Sequence, residues 1–275
     1  MGNKIVEGLS AMTTSSEEVT KDIMLLNFTV VRACMVGDPN SNNKEWVLID
    51  TGLENSADFI VESAEKRFGK NNPPKSIILT HGHFDHVGSV IKLFKLWKAP
   101  VYIHKLELPF VTGSKDYPKG DPTVDEGMVA KMSPTFPHTS IDLGSHVSAL
   151  PEDGSVPGMP DWKWILTPGH TEGHVSLFRE KDRVLIVGDA FSTTKQESLI
   201  SMITQREQIS GPPKYLTTNW EEAERSVRLI RDLKPALVIP SHGKPMSGEE
   251  VTEHLNMLVN NFDEIAKPKQ GKFVN

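Results

Sequence analysis

Four ligand-capable side chains stand within six residues in the run His81-Gly82-His83-Phe84-Asp85-His86. Imidazole nitrogens and carboxylate oxygens are natural donors for borderline divalent metals. On an extended or turning backbone His81 and His83 point to one side, while a sharper turn presents Asp85 and His86. Gly82 permits the tight path that brings several donors to within about 2 Å of an ion. A solvated histidine-rich turn, or an aspartate capping a helix, is the plain alternative.

Three further clusters share the arrangement. Thr167-Pro168-Gly169-His170 fixes a histidine in a tight turn, Gly188-Asp189-Ala190 ends an apolar run on a carboxylate, and Ser241-His242-Gly243 repeats the turn histidine. Singly, each reads as readily as a loop histidine or a turn aspartate. His174, at the start of a strand, reads as a packed histidine or one behind the ligands rather than a ligand. Together the clusters supply His81, His83, Asp85, His86, His170, Asp189 and His242. Seven nitrogen and oxygen donors suit two metals sharing one carboxylate, the arrangement of two-metal hydrolytic sites.

The elements that must position them can be read from periodicity and turn chemistry. Residues 22–36 and 46–49 read as strands, the latter ending at Asp50-Thr51-Gly52. A helix follows over 55–68, with Phe59, Ile60, Ala64 and Phe68 on its apolar face. Strand 76–79 leads into His81, 87–97 reads as a helix, and 100–103 as a strand. Residues 105–160 are rich in Pro and Gly and weakly periodic, which predicts a covering loop or insert. Strands follow at 162–166, 175–179, 184–187 and 236–239, with helices at 221–233 and 248–265. Each histidine cluster directly follows an apolar strand, so the sites sit at strand ends. No linker composition appears, and a single domain over 1–275 is expected.

Composition excludes other classes. The 275 residues carry a net charge of −6, a poor match to nucleic acid, which needs a concentrated basic surface. Cys34 is the one cysteine, so a disulfide-stapled class is excluded. No apolar run approaches the roughly 20 residues of a membrane span, and no signal-peptide core follows Met1. The expectation is a cytoplasmic protein whose partner is a small-molecule substrate, with no nucleic acid and no membrane.

The run His81-Gly82-His83-Phe84-Asp85-His86, followed in order by Pro168-Gly169-His170-Thr171, Gly188-Asp189-Ala190 and Ser241-His242-Gly243, resembles the metallo-β-lactamase-fold hydrolases. Asp50-Thr51-Gly52 after a strand matches the family as well, and the resemblance covers roughly residues 20–265. It implies an α/β (α+β) four-layer αβ/βα sandwich of two mixed sheets flanked by helices, with metals at one edge. By that resemblance His81, His83 and His170 hold one metal, Asp85, His86 and His242 a second, and Asp189 bridges both. Asp50 would orient a ligand from behind, or be an ordinary strand-end aspartate. The cofactors implied are two divalent ions, zinc by default, with iron or manganese compatible with the same donors. By the same resemblance, bound metals would lower the pKa of a water and so supply a hydroxide for attack on an electrophilic centre, with Asp85 as ligand and proton shuttle.

Within the family, an aspartate at 189 and no visible leader disfavour antibiotic hydrolysis. The 33 residues after His242 leave no room for the glutathione-binding domain of glyoxalase II. Persulfide dioxygenases use one iron, and the nucleases carry added domains. The remaining group resembles small lactonases and esterases, so hydrolysis of a small ester or lactone is expected. Thioester or phosphodiester cleavage is the alternative, and a metal-binding protein without turnover is the competing class. Residues 105–160, with Phe110, Tyr117, Met128, Met132 and Phe136, would line the substrate pocket or anchor the loop to the core. They could instead serve a homodimer interface. Residues 191–218 would contribute too, Lys195 either meeting an anionic group or standing solvated.

Overall fold

The structure, a computed structural model, describes residues 14–194 and 209–274. Lys195 therefore lies outside the described residues. The chain packs as two compact units, Met1–Tyr117 with Pro137–Pro160, and Pro118–Phe136 with Asp161–Asn275. The expected covering stretch is shared between these two units.

The first unit holds a sheet whose strands follow sequence order: β1 (Ser15–Thr20), β2 (Ile23–Asn27), β3 (Arg32–Val36), β4 (Val47–Ile49), β5 (Ile77–Ile78), β6 (Val101–Ile103) and β7 (Val147–Ala149). The pairs from β1 to β4 are antiparallel, and those from β4 to β7 are parallel. Strands β3, β4 and β5 are buried at every position, which is why they read as continuous apolar runs. Helix α1 (Ala57–Phe68) buries Ala57, Ile60, Ala64 and Phe68, one stripe of a 3.6-residue period. The Phe68 ring stacks on Trp46, centroids 4.9 Å apart. Helices α2 (Phe84–Val87), α3 (Val90–Trp97) and α4 (Leu108–Val111) and the short strand β8 (Ser155–Val156) complete the elements of this unit used below.

In the second unit β9 (Met159–Leu166), β10 (Val175–Arg179), β11 (Val184–Gly188), β12 (Leu237–Pro240) and β13 (Met246–Ser247) lie side by side in sequence order. Only the β11–β12 pair is parallel. Its helices are α5 (Met128–Met132), α6 (Trp220–Leu233), α7 (Glu249–Asn260) and α8 (Phe262–Ile265). Helix α6 buries Trp220, Ala223, Val227 and Ile230 against a core that includes Leu185, Val187, Val238, Leu255 and Leu258. Asn219 caps it, its side chain accepting from Glu222 N at 3.1 Å, an arrangement that contributes about 1 kcal/mol. Both sheets are mixed and flanked by helices, as expected. Among the described residues no helix is long and apolar enough to cross a membrane.

Three local departures have physical reasons. The apolar stretch 22–36 is two strands, because Thr29 turns the chain at φ +69° with its N–H donated to Asn27 Oδ1. The closing helix breaks at Asn261, whose ψ of 35° and φ of −129° leave the helical region. Strand β1 carries Ser, Glu and Thr and is mostly exposed, so no apolar alternation announces it.

Cys34 lies in the buried strand β3. Burial pushes its thiol well above the ordinary range, and the neighbouring Asp50 charge adds to this. The thiolate is the reactive form. Cys34 is therefore expected to resist thiol reagents in the folded protein at about pH 8 and to react once denatured. Rapid labelling without denaturant would contradict the burial.

Candidate metal centre

In the first unit the chain leaves β5 through Leu79 and Thr80 into His81, beside the parallel strand β4, which Asp50 directly follows. Asp50 sits at φ +56°, a left-handed conformation that an aspartate tolerates better than most residues. Its carboxylate ties the two strand ends together. Oδ1 accepts from Thr80 N at 2.8 Å, and Oδ2 accepts from Thr80 Oγ1 at 2.8 Å. Oδ2 also stands 2.8 Å from His86 Nδ1, both side chains being almost wholly buried.

These contacts assign ring protons. A carboxylate requires a donor, so His86 carries its proton on Nδ1 and keeps a lone pair on Nε2. Thr80 spends its hydroxyl proton on Asp50, so its oxygen accepts from His81 Nδ1 at 3.1 Å. That leaves the lone pair of His81 on Nε2, 3.0 Å from His83 Nδ1. His83 caps α2 in extended conformation, and Asp85 and His86 follow in its first turn. Asp85 Oδ1 lies 3.9 Å from His86 Nε2. The potential ligand atoms of His81 and His83, of His81 and His86, and of Asp85 and His86 lie within 4.8 Å of each other. Thr51 holds the turn by donating its N–H and hydroxyl to His86 O at 2.7 and 2.8 Å.

Sequence reasoning missed Glu107 as part of this site. Its wholly buried carboxylate accepts from Gly82 N at 3.0 Å and from the Tyr117 hydroxyl. The Tyr117 ring packs 4.3 Å from the His83 ring and stacks on Phe110. Burial and the Glu107 charge hold the Tyr117 hydroxyl well above its ordinary pKa, so it remains a donor. A Cβ at Gly82 would stand 2.7 Å from the Tyr117 oxygen, which is why this position has no side chain. Of the apolar residues in the irregular stretch, Phe110, Tyr117 and Phe136 are buried, whereas Met128 is exposed. No signal in the sequence pairs Glu107 with Gly82, because the contact joins positions 25 residues apart.

In the second unit Asp189 follows β11 and stands between two histidines. Its Oδ2 lies 3.3 Å from His170 Nε2 and 3.3 Å from His242 Nε2. Thr217 donates its hydroxyl to Pro213 O at 2.8 Å, so its oxygen accepts from His170 Nδ1 at 3.1 Å. The His170 lone pair therefore faces Asp189. His174 is buried behind the carboxylate. Its Nε2 accepts from Asp189 N at 2.8 Å, and its Nδ1 meets Thr167 Oγ1 at 2.9 Å and Thr167 O at 3.1 Å. With both nitrogens engaged this way, His174 positions the Asp189 backbone and offers no lone pair to an ion.

Gly169 explains how His170 is presented. It adopts φ +129°, and its carbonyl accepts from Thr218 N and Asn219 N at the start of α6. A Cβ there would lie 2.3 Å from Ala223 N. Gly169→Ala is therefore expected to destabilise the protein by about 3 kcal/mol, from backbone strain plus overpacking against α6. Thermal or denaturant unfolding checks this, and a wild-type midpoint would refute it.

Three imidazoles, those of His81, His86 and His170, have their Nδ1 atoms held from behind. In the first unit they stand with His83 and Asp85, and in the second with His242 and Asp189, donor types that suit divalent metals. The model of the metallo-β-lactamase superfamily matches residues 29–242. This chain belongs to that superfamily. Among superfamily relatives it is similar to "Probable metallo-hydrolase YflN" of Bacillus subtilis, 45% identical over 90% of this chain and 94% of that one. "Probable metallo-hydrolase YybB" of the same organism is 30% identical over 72% of this chain and 75% of its own length. The fold is similar to the archaeal superfamily protein ST1585 from Sulfolobus tokodaii, with a TM-score of 0.57 at 20% identity, covering 84% of this chain and 81% of that one. It is also similar to TTHA1623, solved "in a di-iron-bound form", with a TM-score of 0.53 at 22% identity, covering 83% and 91%.

Proposed function

We propose that this metallo-hydrolase cleaves a small carboxylic ester or lactone, using His81, His83, Asp85 and His86 with His170, Asp189 and His242 to hold two divalent ions. The observation that carries the reading is Asp189, whose one carboxylate oxygen lies 3.3 Å from two imidazole nitrogens. An oxygen facing two imidazole nitrogens is compatible with a carboxylate that would be shared between two ions. The Nδ1 contacts of His81, His86 and His170 support it, since each leaves Nε2 as the ligating atom. Zinc is the proposed metal, and the di-iron form named for TTHA1623 supports iron as the second choice.

Bound ions would lower the pKa of a water toward neutrality and polarise the acyl oxygen. The protein's own groups do the rest. Asp85, the least buried of the four donors in its unit, has an exposed edge from which to accept a proton from water and return it to the leaving group. Asp50 and Thr80 hold His86 and His81 in one tautomer throughout. In the net reaction, water adds its oxygen to the acyl carbon and the acyl–oxygen bond breaks. The leaving oxygen departs as an alcohol, and the acid is released as carboxylate and proton. The partner in this reading is the small-molecule substrate alone, and the net charge of −6 supports the absence of a nucleic-acid partner.

The test is a panel of ester, lactone, thioester and phosphodiester substrates with metal-replete protein. Ester or lactone turnover is expected, vanishing with chelator and returning with zinc. Turnover confined to thioesters or phosphodiesters would reassign the bond cleaved. Failure on all four would overturn hydrolysis.

A further inference from the structure

The ligand motif continues into a helical stripe that the chemistry above leaves unused. Phe84, Val87, Ile91 and Lys95 recur at three- and four-residue intervals along α2 and α3. Gly88 keeps helical angles, φ −55° and ψ −40°, whereas Ser89 leaves them at φ −100° and ψ 0°, so α2 and α3 are two helices joined by a turn. All four residues line one cleft of about 550 Å³ in the first unit, within the range of small-molecule sites. Its inner end is Gly82 and Phe84, inside the metal motif, with Tyr117 beside them.

The charges are unevenly placed. Lys92 also lines the cleft but is held by Asp58 at 2.7 Å. Among the described residues no carboxylate is paired with Lys95, which stands exposed at the outer end. Glu54 also lines the cleft, its backbone nitrogen 2.5 Å from where a Cβ on Gly88 would stand. The cleft thus combines the apolar Phe84, Val87 and Ile91 with the polar His138, Thr139 and Ser140 and the exposed cation of Lys95.

We infer that the cleft receives the acyl arm of the substrate, a medium-length chain whose far end carries a carboxylate paired with Lys95. This rests on the hydrolase reading, because it places the cleaved carbonyl at the motif end. The substrate class is then an ester or lactone of a medium-chain acyl group bearing a terminal anion.

Two measurements on the zinc-loaded protein test it. In the first, turnover of the mono-4-nitrophenyl ester of decanedioic acid is compared with that of 4-nitrophenyl decanoate. The dicarboxylic half-ester is expected to have the lower KM by about threefold, the size of an exposed ion pair, with kcat little changed. Lys95→Met should erase that difference and Lys92→Met should keep it. Ile91→Trp, which fills the middle of the stripe, should shift the preferred acyl chain toward butanoyl esters. In the second, calorimetry compares decanedioate with decanoate, and tighter Lys95-dependent binding of the dianion is expected.

A KM difference that persists in Lys95→Met, or equal binding of the two acids, overturns the anionic end. A chain-length profile unmoved by Ile91→Trp overturns the acyl cleft. Hydrolysis of neither ester, with the Lys95-dependent binding intact, would overturn the ester reading and support the cleft.

Discussion

Asp189→Ala is expected to bring metal content below two ions per chain and to lower ester or lactone turnover by more than about a hundredfold. The carboxylate oxygen lies 3.3 Å from both His170 Nε2 and His242 Nε2, so one truncation removes the group that both imidazoles face. The variant should still fold. The backbone N–H of residue 189 keeps its acceptor in His174, and the buried strand β11 that precedes it is untouched. Elemental analysis of dialysed protein and the ester assay read the effect, with circular dichroism as the folding control. Wild-type metal content in a folded Asp189→Ala protein would show that this carboxylate is not shared between ions.

The second large effect is expected at Asp50, which touches a ligand from behind. In Asp50→Asn the new side chain fits the left-handed backbone at φ +56°, since asparagine populates that region readily. What the amide cannot supply is the second acceptor. Three donors converge on the Asp50 carboxylate, Thr80 N, Thr80 Oγ1 and His86 Nδ1. An amide offers one oxygen and turns an NH2 group on the rest, which costs about 1–3 kcal/mol for a buried group left unsatisfied. His86 would then move its proton to Nε2, the atom assigned to the metal. Asp50→Asn should therefore weaken metal affinity by about ten- to a hundredfold beyond its effect on stability. Competition with a chelator of known affinity separates the two. Lost stability with unchanged affinity would mean that Asp50 serves only to tie β4 to β5.

Much of the site was legible in one dimension because its donors are local. His81, His83, Asp85 and His86 fall within six residues, and the remaining clusters each follow an apolar strand flanked by Gly or Pro. The strands beneath them were legible for a related reason: buried parallel strands such as β5 need apolar residues at every position. Elements lacking that signature were missed or merged. Strand β1 is polar because it is exposed, and the turn at Thr29 carries neither Gly nor Pro.

The partners of the donors were not legible, because hydrogen bonds between distant positions leave no periodic trace. Glu107 looked like any loop glutamate, yet its buried carboxylate takes the Gly82 N–H. Thr217 and Thr80 carry no motif, yet their hydroxyls settle which nitrogen of His170 and of His81 keeps a lone pair. His174 and His170 lie four residues apart, and their places in a strand start and a Pro-Gly turn already set them apart, but only their surroundings show what each nitrogen does. One nitrogen of His174 accepts from Asp189 N and the other meets Thr167, while His170 turns a nitrogen toward the Asp189 carboxylate. The sequence by itself determined the donor types, their clustering and the strand ends that carry them, since these depend on residue identity and short-range spacing. The tertiary structure alone decided tautomers, orientation and the cleft beside the motif, since these depend on which distant groups are buried against one another.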